Sequence, residues 1–88
     1  MERKMITMIN PFAMDQTMHI YEKGNNNLDV VNFKINEIND VVFSLMQQYN
    51  ISELKLMGSK QYNRGLKKKI QEAEITKFNE NKLRIEIV

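Results

Sequence analysis

The 88-residue chain sets 13 Lys and Arg against 11 Asp and Glu, a formal net charge of +2. That sum is too small to argue for nucleic acid, so only the placement of the charges can carry such a reading. The absence of cysteine excludes a disulfide framework and a thiolate zinc site and fits a reducing, cytoplasmic setting.

The length supports a single domain over residues 1–88 with one core. Its apolar runs are too short to span a bilayer. Met1-Glu2-Arg3-Lys4 leads into a strand-like run instead of a long leucine-rich signal core, so neither export nor membrane insertion is expected.

Met5-Ile6-Thr7-Met8-Ile9 is an apolar, β-branched run cut off by Asn10-Pro11, which reads as a first strand and a turn. In Gln16 to Glu22, Met18, Ile20 and Glu22 share one face and Thr17, His19 and Tyr21 the other, the pattern of a strand with one drier side. Glu22 to Asn27 is a turn cluster of Gly and Asn, and Asp29 to Ile35 resumes an extended pattern, so residues 16–35 form a hairpin.

The period then changes. Ile38, Val41, Val42, Leu45, Met46 and Tyr49 recur at helical spacing, with Asn36 or Asn39 placed to cap the helix and Asn50 to end it. Asp29, Glu37 and Asp40 gather near its start, where carboxylates complement the helix dipole. Ile51 to Met57 is a short apolar strand closed by Gly58, and Ser59 is placed to cap a second helix. That helix is expected to turn Tyr62, Leu66, Ile70 and Ala73 inward, and Gly65 in its middle points first to close packing on the sheet and otherwise to close approach of a partner backbone. Asn79 to Lys82 makes a polar turn, and Leu83 to Val88 alternates strictly as a last strand.

Strands joined by tight turns pair antiparallel, and strand-helix-strand crossovers give parallel, right-handed neighbours. The order β-β-β-α-β-α-β therefore predicts an α/β, mixed-sheet fold of five strands and two helices. Element order leaves open whether the helices share a sheet face. This order resembles the ribonuclease H-like fold, whose sheet runs 3-2-1-4-5 with the first strand central. Ile6-Thr7-Met8-Ile9-Asn10-Pro11 is similar to the first-strand signature of resolvase-type members, in which an aspartate ends the strand.

The resemblance implies a metal position at residue 10, but this chain has Asn10 there, and a neutral amide competes poorly with water for a hard cation. The fourth strand ends Leu56-Met57-Gly58 instead of in an acid, and the sequence ends at Val88, where such enzymes continue into an acid-bearing helix. The expectation is a trimmed, catalytically degenerate domain with no cofactor and no metal. A residual metal-dependent nuclease built on Asn10 and Asp15 is an alternative.

Among candidate binding residues, Lys60, Arg64, Lys67 and Lys68 fall on one helical arc with Lys69 close by, an arrangement that neutralises phosphates. It is equally what a solvated helix face needs, and Glu72 and Glu74 follow directly. Gly58-Ser59-Lys60 could receive an anion at a positive helix end, although it lacks the phosphate-loop spacing and a serine cap explains it. His19, the one histidine, lacks partners for ligation or proton transfer and decorates a strand face. Ser44 and Ser59 have no histidine in evident reach, so no nucleophilic triad is arguable.

Seven methionines suit a core or an adaptable contact surface. Met5, Met8, Phe12, Met14 and Met18 suggest a surface that a partner covers, a second copy in a homodimer being the simplest. The small size and Asn/Lys/Ile-rich style resemble proteins carried by phages and mobile elements. The reading is a non-catalytic binding module acting on a host protein or nucleoprotein. Nucleic-acid binding through residues 59–73 is the runner-up.

Overall fold

The computed structural model describes residues 3–22, 24, 26–77 and 83–88. The elements are β1 (Arg3–Ile9), β2 (Asp15–Glu22), β3 (Asn26–Lys34), a 3-10 turn (Ile35–Glu37), α1 (Ile38–Tyr49), β4 (Glu53–Gly58), α2 (Lys60–Lys77) and β5 (Arg84–Ile87). They form one five-stranded mixed sheet in the order β3-β2-β1-β4-β5. β1 and β2 pair antiparallel, as do β2 and β3, while β4 runs parallel to β1 and β5 parallel to β4.

Both helical crossovers step across the sheet in the same direction. Right-handedness then places both helices on one face, which settles what element order left open. On that face the register lines up Ile20, Met5, Leu54 and Ile85 in one row and Met18, Thr7 and Leu56 in the next. These side chains are buried under Val42, Phe43, Leu45 and Met46 of α1 and Leu66 and Ile70 of α2. The side-chain period of two then sends Lys4, Ile6, Met8, His19, Tyr21, Val30, Lys55 and Met57 to the opposite face, where none is fully buried. Among the described residues, one face is core and no helix covers the other.

Several local expectations are corrected. Neither Asn36 nor Asn39 caps α1: Asn36 lies in the 3-10 turn and Asn39 inside the helix, whose N-cap position is Glu37 with no side-chain cap bond. The 3-10 turn brings the chain round from β3 and takes over the role of a cap. Asp29 belongs to the other end of α1, where its carboxylate accepts the hydroxyl of Tyr49 at 2.7 Å. Asn50 does end α1, in the left-handed region at φ 56°. On α2, Tyr62 is 36% exposed, and the buried residue of that turn is Asn63, because 63, 66 and 70 make the inward stripe. The expected turn at Asn79 to Lys82 and the side chain of Glu74 lie outside the described residues.

Candidate binding surfaces

Three features converge at the end of the sheet where β1 and β4 finish. Asn10 stands at the position of the degenerate metal ligand, and there it builds a turn. Its Oδ1 accepts the Phe12 N–H at 3.0 Å, and its carbonyl accepts the Ala13 N–H at 3.1 Å and the Gln16 Nε2 at 2.8 Å. Gln16, itself buried, returns Oε1 to the Asn10 N–H at 3.2 Å. Asp15, the other residue of the nuclease alternative, is ion-paired with Lys34 on the surface. Among the described residues, no group of three or more His, Cys, Asp and Glu is placed to hold a metal ion.

Beside Asn10, Gly58 ends β4 at φ +101° opposite Ile9, and Ser59 opens α2. The Ser59 Oγ accepts the Tyr62 N–H at 3.2 Å, and its carbonyl accepts the Asn63 N–H at 2.9 Å. The serine is thus a working N-cap. The Nδ2 of Asn63 donates to the Met57 carbonyl at 3.0 Å, pinning the first turn of the helix to β4.

The turn between β1 and β2 projects apolar groups. Phe12 is 98% exposed and Met14 54%, and Met8, one pleat before the turn on the open face, is 65% exposed. Met5 and Met18 are instead fully buried, so the methionine set divides between core filling and surface. His19 stacks on Tyr21 on the open face, with ring centroids 6.2 Å apart.

The basic residues of α2 occupy its outer side. Lys60, Arg64, Lys68 and Lys69 are exposed and Lys67 is half-buried at the flank. At 100° per residue, Lys60, Arg64 and Lys68 follow one line along the helix, and Lys69 lies a quarter-turn beyond Lys68. Gly65 corrects its expectation. A Cβ there would meet nothing within 4 Å, so it does not pack on the sheet but lies on the exposed side, between Gln61 and Lys68. The five basic residues of 60–69 have no acid among them. Removing those five from the 13 leaves eight basic residues against 11 acids in the rest of the chain, which makes α2 a local cationic face on an otherwise anionic molecule. The inward stripe at Asn63 was missed in the sequence because an asparagine carries no hydropathy signal.

Among the described residues, no helix is long and apolar enough to cross a membrane. Compared with known proteins, the chain matches no family model, no curated protein and no solved structure.

Proposed function

We propose that the chain is a non-catalytic binding module on a ribonuclease H-like scaffold, acting by holding a host protein or nucleoprotein surface. The strand order β3-β2-β1-β4-β5 with β1 in the centre supports the scaffold reading. The observation that carries the function is the turn between β1 and β2, where Phe12 and Met14 stand in solvent, with Met8 at the end of β1 also exposed. A phenylalanine fully in water, with Met14 exposed two residues on in the same turn, offers apolar surface that a partner can cover. The turn of Asn10 and the surface pairing of Asp15 with Lys34 give both residues structural work, which favours binding over hydrolysis.

Affinity capture of the tagged chain from its native cell, with and without nuclease treatment, tests the reading. A partner retained after nuclease, and lost with Phe12→Ser, is the expected result. Capture unaffected by Phe12→Ser removes it. Magnesium- or manganese-dependent cleavage abolished by Asn10→Ala favours the nuclease instead.

A second reading, nucleic-acid binding through α2, is favoured by one observation: Gly65 lies in the open beside the basic line, where the helix backbone is accessible to a phosphate strand. Affinity that falls steeply with salt, and weakens on changing Lys67, Lys68 and Lys69 together to Glu, is its signature. An unchanged triple variant removes it.

A further inference from the structure

We propose that the open sheet face is the interface of a two-fold dimer, in which β1 of one copy lies over β4 of the other. This inference goes beyond the binding-module reading: it gives the open face to a second copy and leaves the turn of Phe12 to the partner. Two sheets related face to face have their axis in the plane between them. An axis running along the strands keeps each row of the register in place and reverses the order of the columns.

Three rows cross the open face. Tyr21, Lys4, Glu53 and Arg84 form one, His19, Ile6, Lys55 and Glu86 the next, and Met8 pairs with Met57 in the third. With the axis between β1 and β4, Lys4 meets Glu53 of the second copy, and Tyr21 meets Arg84, a guanidinium over an aromatic ring. His19 meets Glu86 and Met8 meets Met57. Lys55 lays its aliphatic stem over Ile6. Each contact occurs twice, as a two-fold requires.

Neighbouring axes do worse. An axis along β1 sets Lys4 against its own copy, and one along β4 sets Glu53 against Glu53 and Lys55 against Lys55. One between β1 and β2 lays Glu53 and Lys55 over β3, where the row of His19 supplies only Val30. One between β4 and β5 matches charges but leaves Met8, 65% exposed, uncovered. The chosen axis covers four of the five strands without opposing like charges. Aligned sheets cross at only about 30°, so the central rows stay opposed. Four strands at about 4.8 Å spacing and about 20 Å of length give a projected footprint on the order of 400 Å². That is about half of the roughly 800 Å² per partner of a stable interface, the size of a weak, reversible association.

Sedimentation velocity of the full chain over a range of concentrations tests the dimer. The expected result is a reversible monomer–dimer equilibrium whose dissociation constant rises at least about tenfold with Met8→Arg, while the thermal midpoint of the monomer is unchanged. Lys4→Glu and Glu53→Lys each weaken association, and the two together restore it. Because the chain has no cysteine, mixing a Met8→Cys chain with a Met57→Cys chain reads the register directly, through cross-linking that favours the mixed pair. A chain that stays monomeric at every concentration overturns the proposal, as does a dimer indifferent to Met8→Arg. A monomer that still captures a partner through Phe12 sinks the dimer alone, and a dimer that captures nothing sinks the binding module alone.

Discussion

A Cβ atom added at Gly58 would stand 2.4 Å from the carbonyl oxygen of Ile9, its register partner on β1. The obstacle is backbone of the central strand, which cannot swing aside as a side chain would, and Gly58 already sits at φ +101°. Strain at the dihedral and the collision add, so Gly58→Ala costs at least about 2 kcal/mol. In a domain of this size that lowers the thermal midpoint by roughly 8 °C or more. A calorimetric scan checks it, and a midpoint within a degree of the parent contradicts it.

Asn10 gives a contrasting expectation, because its side chain works through one acceptor oxygen. Asp supplies the same oxygen to the Phe12 N–H, so Asn10→Asp leaves stability nearly unchanged. Asn10→Ala loses the bond and costs about 1 kcal/mol. Denaturant melts of the two variants separate this turn-building role from a role in ligand binding, for which Asp and Asn would differ sharply.

Most of the strand and helix content is legible in the sequence because the hydropathy period changes where the structure changes. Met5 to Ile9, Met18 with Ile20, and the stripe from Ile38 to Tyr49 each point to the element found. What was not legible depends on distance. The partner of Asp29 is Tyr49, 20 residues away, whereas proximity in sequence suggests the start of α1. Neither Asn36 nor Asn39 caps α1, because the 3-10 turn makes the entry to the helix. The general cost of a helical glycine points Gly65 at the sheet, yet the inward stripe is set by Asn63, Leu66 and Ile70. Of the candidate surfaces, the basic line was visible at once from its spacing. The open face required the register, because only strand order reveals that both helices share a side.

The contact of Asp29 with Tyr49 makes stability depend on pH. The Tyr49 hydroxyl first, and the Val30 N–H second, hold the Asp29 carboxyl below the ordinary carboxylate range, and the bond to Asp29 holds the Tyr49 hydroxyl above its ordinary value. A carboxyl lowered on folding adds stability above its unfolded value, and that stability is lost as pH falls through the folded one. A phenol raised on folding adds stability below its unfolded value, and that is lost as pH rises through the folded one. The pair therefore stabilises the fold across the neutral range and fails at both extremes. Tyr49→Phe has a lower urea midpoint than the parent at neutral pH, and the two converge as pH falls through the carboxylate range. Parallel curves with no convergence contradict the assignment.

Gly65 separates stability from binding. It is helical, exposed, and free of any neighbour that a methyl group would strike, so Gly65→Ala removes backbone entropy from the unfolded chain at no steric cost. The gain is about 1 kcal/mol, or roughly 4–8 °C in the thermal midpoint. If α2 serves only as a solvated face, larger side chains at 65 are neutral for every partner. If a phosphate strand approaches the helix backbone between Gln61 and Lys68, Gly65→Gln weakens the association while the fold remains at least as stable as the parent. The salt slope distinguishes this from loss of charge. Gly65→Gln keeps all five cations and leaves the slope of log K against log salt unchanged, whereas changing Lys67, Lys68 and Lys69 to Glu flattens it. Fluorescence anisotropy with a labelled DNA duplex at several salt concentrations, run beside thermal melts of the same variants, measures both quantities. Duplex affinity unaltered by Gly65→Gln would assign the glycine no part in binding.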